Sequence, residues 1–249
     1  MIRYFQVNEN GHSIRCKLYC KEQKLIRQIV LFCHGFGGHK DNAAAEKFAD
    51  RLITKHKDAA LVTFDLPCHG EDVKKKLVLD HCTDYLEQVA LYLQRTYDPD
   101  RLFAYATSFG GYLLLKFITE HQNPFCRIAL RCPAVDMHQV LTGFIAASPD
   151  ADKLQKGKDI PIGFDRKVMV GLPFLQSLED IRNREYLDFA EDMLILHGTA
   201  DEIVPFDSAY RFAEDNLIEF IPVEGADHRF RHGKSMELAI KHILDFFSL

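Results

Sequence analysis

Ser108 sits where an aliphatic run, residues 102–106, gives way to a helical one, and its neighbours are small on both sides: Ala106 two positions before and Gly110 two after, with Gly111 following. That spacing is what a nucleophile elbow requires. A tight strand-to-helix turn holds its central residue in a strained backbone conformation, and bulky side chains two residues away would strike neighbouring backbone. The usual pattern has glycine at both places, so Ala106 is a departure, but its single methyl is a small burden. Such a turn leaves the serine hydroxyl above the sheet, with the Phe109 N–H at a helix start, where negative charge is favoured. A serine before Gly-Gly can also be a plain helix cap.

A serine hydroxyl needs a base to take its proton, and the base needs an acid to fix its tautomer. Asp201 follows an apolar run and the turn His197-Gly198-Thr199-Ala200, and His228 lies in a loop before the last helical stretch. The order Ser108, Asp201, His228 is the one expected when this kind of elbow serves a hydrolase. Glu202, Asp207 and Asp227 compete as acids, although Asp227 adjoins the histidine and would find it hard to reach back to Nδ1. His228 and His232 have the i, i+4 spacing of a metal pair, but Arg229 stands where H-E-x-x-H carries its glutamate, and no third ligand is evident. No metal or cofactor is expected. His34, His69, His81 and His197 read as structural or exposed. Gly35-Phe36-Gly37-Gly38 follows another apolar run and can turn a backbone N–H inward. The N–H groups of Phe36 and Phe109 would then form an oxyanion hole, a device commonly worth several kcal/mol in acyl transfer. Read as a phosphate site, these glycines fit neither G-x-G-x-x-G nor the P-loop.

The elements that must position these residues alternate. Residues 12–20 have Ile14, Cys16, Leu18 and Cys20 at strand period and suit an antiparallel edge strand. The runs 29–32, 59–64, 102–106, 128–130 and 193–196 are aliphatic without alternation, as in strands covered on both faces of a parallel sheet. Helical spacing marks 42–56, 84–97, 112–121, 206–216 and 236–247. Strand and helix in turn imply an α/β fold, a mostly parallel twisted sheet with helices on both faces. The rhythm breaks at 134–186, where Pro, Gly and Asp recur. This segment reads as a small inserted cap, with a hairpin of 160–163 against 167–170, whose apolar residues (Val140, Leu141, Phe144, Phe164 and Phe174 among them) would cover an opening at the carboxyl edge of the sheet. An ordinary packed excursion is the other reading.

The 249 residues fit one such domain, spanning 1–249, and a 47% apolar content excludes disorder and fibrous architectures. Net charge is −5 with no long block of either sign, so neither a nucleic-acid footprint nor a nucleic-acid partner is expected. The apolar start is too short for a signal peptide, and no run is long enough to span a bilayer. Seven cysteines without a C-x-x-C pair read as reduced core thiols, which suits a cytoplasmic protein.

Together the elbow 106–110, the loop 34–38, the stretch 197–201 and the pair Asp227-His228 resemble the α/β-hydrolase superfamily over residues 29–247. Phe64-Asp65-Leu66-Pro67-Cys68-His69-Gly70 is similar to the segment after that family's fourth strand, with Cys68 where glycine is frequent. The length, the His-Gly-Phe-Gly-Gly loop and the cap resemble small bacterial carboxylesterases of the cinnamoyl or feruloyl esterase kind. That resemblance implies a cofactor-independent serine carboxylesterase acting on a small-molecule ester, with Ser108, His228 and Asp201 as triad and the Phe36 and Phe109 amides as oxyanion hole. Thioesterase, monoacylglycerol lipase-like and peptidase-like activities share the same triad order, and a non-catalytic hydrolase-like binding protein is the reading from a different class.

Overall fold

The computed structural model describes residues 1–21, 25–72, 74, 76–163 and 166–249. Strands β1 (Ile2–Glu9), β2 (His12–Cys20), β3 (Gln28–Cys33), β4 (Ala59–Phe64), β5 (Arg101–Thr107), β6 (Arg127–Arg131), β9 (Met193–Gly198) and β10 (Glu219–Val223) form one sheet in the order β1-β2-β4-β3-β5-β6-β9-β10. From β4 to β10 every neighbouring pair is parallel, and β1 and β2 add an antiparallel margin.

The aliphatic runs are strands buried on both faces, and their side chains divide by alternation. Ile29, Leu31, Ala104, Leu130 and Ile195 pack on one side with α2 (Leu79–Tyr97), α3 (Phe109–Glu120) and α7 (Phe206–Asp215). Val30, Phe32, Phe103, Tyr105 and Leu196 pack on the other with α1 (Ala43–Lys55) and α8 (Ser235–Phe246). Asn42 caps α1 by accepting from the Ala44 and Ala45 N–H groups at 2.8 and 3.2 Å, the partner a first turn needs.

Several expectations need correction. Residues 12–20 are antiparallel but not the edge, because β1 lies outside them, joined by a two-residue turn in which Asn10 and Gly11 both have positive φ (49° and 74°). Asn-Gly favours that turn, whose twist matches the strands it links. Helix α2 begins at Leu79 rather than 84, and α3 at Phe109 rather than 112. Cys126 is exposed, unlike the buried thiols. At Cys68 the backbone has φ 64°, the left-handed conformation that explains why glycine is frequent in such a turn.

Between β6 and β9 lie α4 (Met137–Ala146), α5 (Ala151–Gln155), the hairpin β7 (Ile160–Ile162) with β8 (Val168–Val170), α6 (Leu172–Ser177) and two 3₁₀ turns. The segment is more helical than its sequence suggests. Leu141, Ile160, Val170, Phe174 and Tyr186 are buried in the same core as α2 and α3. Met169 is 43% exposed and covers little, and Phe164 lies outside the described residues.

Candidate active site

Parallel strands deliver their carboxyl ends to one rim, and the loops there enclose a cavity of about 440 Å³ lined by Phe36, Ser108, His228 and residues of α4. This is where an open α/β sheet binds its ligands.

Ser108 follows the last residue of β5 with φ 53° and ψ −119°, a conformation rarely open to a residue with a side chain. It occupies the cap position of α3, yet its side chain makes no capping hydrogen bond, so the simple cap reading does not describe it. The surroundings hold the turn. Ser108 N–H donates to the Arg131 carbonyl at 3.1 Å, and its own carbonyl accepts from Tyr112 and Ala134 N–H. A Cβ on Gly110 would stand 2.4 Å from the Cys33 carbonyl oxygen and 2.6 Å from that of His34, so only glycine lets α3 begin this close to the end of β3.

The His34–Gly38 loop passes over the serine: a Cβ on Gly35 would lie 3.1 Å from Ser108 Cβ and 3.6 Å from its Oγ. His34, 1% exposed, anchors this loop. Its Nδ1–H donates to the Gly35 carbonyl at 2.8 Å, and its Nε2 accepts the Leu66 N–H at 3.2 Å. Burial pushes its imidazole down to about 3, with the nearby His69 acting in the same sense. The rings of Phe36 and Phe109, whose amides are the expected oxyanion donors, meet edge to face at 5.7 Å. Phe109 N–H is the first of α3, where no intrahelical acceptor exists.

Asp201 lies in the turn after β9 with its side chain fully buried, and its Oδ2 is 2.7 Å from His228 Nδ1. Its Oδ1 accepts the Ile203 and Val204 N–H groups, both at 2.8 Å. Burial alone would raise this carboxyl, but hydrogen bonds from His197 and His228 hold it well below the ordinary carboxylate range. The loops of Asp201 and His228 are bound to each other as well. Thr199 N–H donates to Val223, Ala200 N–H to Ala226, and Gly225 N–H to Thr199 Oγ1 at 2.8 Å.

The competing acids are engaged elsewhere or exposed. Asp227 takes Arg231 through its backbone N–H (2.8 Å) and Nε (2.6 Å), Glu202 accepts the His228 backbone N–H at 3.2 Å, and Asp207 lies at the surface. His232 is exposed beside Asp227, its Nε2 3.9 Å away. The donor atoms of Cys132, Asp201 and His228 gather within 4.8 Å, the one set of three possible metal ligands among the described residues. Its carboxylate already holds the imidazole.

Two residues of the site have no role in the sequence reading, which takes His197 as structural or exposed. His197, fully buried, brings Nε2 to 3.1 Å from Asp201 Oδ2 and 3.2 Å from the Val204 carbonyl; its place four residues before Asp201, across a strand-ending turn, is the signal that could have found it. Arg131, 7% exposed, reaches the cavity from the end of β6. A charge closing the apolar run 128–130 was its signal.

The sequence matches the serine aminopeptidase, S33, family over residues 24–157. None of the curated proteins matches it significantly. Among solved structures, Est1E from Butyrivibrio proteoclasticus with ferulic acid bound superposes with a TM-score of 0.77 at 16% identity, covering 98% of this chain and 100% of that one. A soluble variant of monoglyceride lipase from Saccharomyces cerevisiae in complex with a substrate analog gives 0.75 at 16% identity, covering 100% and 94%. The mouse alpha/beta hydrolase domain-containing protein 10 gives 0.71 at 15%, covering 99% and 98%. At such identities these likenesses show a shared fold, while the sequence match spans more than half of the chain: it belongs to the serine aminopeptidase S33 family of α/β serine hydrolases.

Proposed function

We propose that this hydrolase is a carboxylesterase that works through an acyl-enzyme on Ser108. The observation that carries the reading is the 2.7 Å contact of His228 Nδ1 with the buried Asp201 carboxylate, in a loop that opens on the same cavity as the strained Ser108. With Nδ1–H donated to Asp201, Nε2 is left as the base. Ser108 Oγ attacks the ester carbonyl while His228 takes its proton, and the negative charge on the carbonyl oxygen is met by the N–H groups of Phe36 and Phe109. His228 then gives the proton to the leaving alcohol. Water, activated by the same imidazole, releases the acid and restores the serine. Asp201 stays ionised throughout, fixing the tautomer and supporting the imidazolium.

The segment 134–186 serves as a cap. Val140, Leu141 and Phe144 of α4 and Ile162 of β7 line the cavity and offer an apolar wall for an acyl or aryl group of modest size. No helix among the described residues is long and apolar enough to cross a membrane, and the substrate in this reading is a small molecule.

Ser108→Ala tests the nucleophile. Turnover of p-nitrophenyl esters should fall by about 10⁴-fold or more, and labelling by a fluorophosphonate should vanish while the melting temperature stays close to that of the wild type. Wild-type rates or labelling in the variant would remove Ser108 from the role.

A further inference from the structure

Arg131 is a charge buried where charge is costly. It closes β6 one position beyond Leu130, paired in register with Thr107, and its Cζ stands 5.1 Å over the Phe230 ring. Its Nε and Nη1 are out of contact with solvent and have no hydrogen-bond partner. The Tyr105 hydroxyl, near enough to feel the charge of Arg131, is likewise without one. Asp201, the acid of the next loop, is taken by His197, His228 and two backbone N–H groups. A buried cation left in this state destabilises the fold unless something supplies an anion.

The cavity that Arg131 lines also receives Arg166, Arg229 and Arg231, and no Asp or Glu is among its described lining residues. This is an arginine-lined pocket in a chain of net charge −5. Arg231 shares its charge with Asp227 and Glu202, so the weight falls on Arg131. The apolar wall from α4, β7 and Ile203 completes a pocket with two characters.

Resting on the esterase reading above, we infer that the substrate is an ester that also carries an oxyanionic group, a carboxylate or a phosphate, held by the Arg131 guanidinium, with its hydrocarbon part against the α4 wall. Arginine suits the task, because its planar fork of N–H donors matches a carboxylate or phosphate in two-point contact.

The test compares the mono-p-nitrophenyl ester of glutarate with p-nitrophenyl hexanoate, which is close in size and neutral, and with the analogue in which phosphonate replaces the free carboxylate. Wild-type kcat/KM should favour an anionic ester by about tenfold or more. Arg131→Gln should cut that ratio by about the same factor, and Arg131→Lys, which keeps the charge but loses the fork, should fall between. Which anionic ester leads separates the carboxylate source from the phosphate source. A wild-type enzyme no faster on either anionic ester than on hexanoate overturns the inference, as does Arg131→Gln slowing all three esters alike. Should Arg131→Gln fail to fold, the ratio in Arg131→Lys decides, since a value equal to the wild type's would also overturn it. Glutarate and inorganic phosphate are tested in parallel by thermal shift. At least one should raise the melting temperature of wild-type protein and raise that of Arg131→Lys less; no shift with either counts against the anion site even if esters are hydrolysed. Absence of all ester turnover and of fluorophosphonate labelling would sink the esterase reading alone, leaving the anion site to the thermal shifts.

Discussion

At the scale of single residues, the pair Asp201 and His228 divides its work unevenly. The carboxylate has four partners, His197, His228 and two backbone N–H groups, which fix it before any substrate arrives. Asp201→Asn keeps the size but presents the wrong partner to Nδ1, so kcat should fall by about 10³- to 10⁴-fold with little change in KM. An unchanged kcat would assign the imidazole's orientation to other contacts. His34 and His69, with rings 5.3 Å apart beneath the glycine loop, make a different demand. Burial lowers His34 to about 3 and His69 to about 4, whereas a histidine in an unfolded chain titrates near 6.5. The unfolded state therefore binds more protons from about pH 6.5 down to about 4 for His69 and about 3 for His34, so stability is full above that window and drains away as pH falls through it. The loss from each ring is on the order of a few kcal/mol. Melting temperature measured from pH 7.5 to 4.5 should decline accordingly, and His69→Gln should flatten the decline; equal slopes in both proteins would place the acid sensitivity elsewhere.

At the scale of elements, the site depends on how closely loops from β9 and β10 approach. Gly198 ends β9 where a Cβ would lie 2.2 Å from the Ala226 carbonyl oxygen, between the residue that leads to Asp201 and the one that leads to His228. Gly198→Ala must push the two loops apart. It should cost about 1–3 kcal/mol in stability and lower kcat by about a hundredfold, the usual effect of an ångström's misplacement; a drop in melting temperature with full turnover would show that these loops do not set the pair's geometry. The same dependence on elements decides how much can be read from sequence. Strands β3, β4, β5, β6 and β9 are legible because both faces are buried, which leaves unbroken apolar runs, and the elbow is legible because tight turns demand small residues at fixed offsets. Asp201 stands out from Asp227 by a simple limit of reach. By contrast β1 exposes Ile2, Tyr4 and other alternate residues and is marked chiefly by its Asn10-Gly11 turn. Segment 134–186 is hard to read because its helices are short: α5 and α6 have five and six residues and bury one each, Leu154 and Phe174, too few turns for an apolar stripe to show. His197 takes its place from Asp201 and Val204, four and seven residues on, a spacing that carries meaning only once Asp201 is assigned, whereas Arg131 lies over Phe230, far along the chain, and only its charge at the end of an apolar run marks it.

At the scale of the whole molecule, charge is distributed against its average. The chain carries five more negative than positive charges, yet the cavity lined by the buried Arg131 is also lined by Arg229 and, exposed at its rim, by Arg166 and by Arg231, which shares its charge with Asp227 and Glu202. A cleft of one sign in a low-dielectric wall focuses the field and raises the local concentration of oppositely charged ligand. Rim charges face solvent and are screened by salt beyond a Debye length, whereas a buried guanidinium is screened far less. The two groups of arginines therefore separate experimentally. Raising ionic strength from about 0.02 to about 0.5 M should lower kcat/KM for the glutarate half-ester severalfold, chiefly through KM, and leave p-nitrophenyl hexanoate within about twofold. In Arg131→Gln the preference for the anionic ester should shrink while a salt dependence persists, because the rim still draws the anion toward the opening. Loss of salt dependence together with preference would mean that one buried charge supplies both, and a neutral ester as salt-sensitive as the anionic one would show that salt acts on the protein rather than on the approach of substrate.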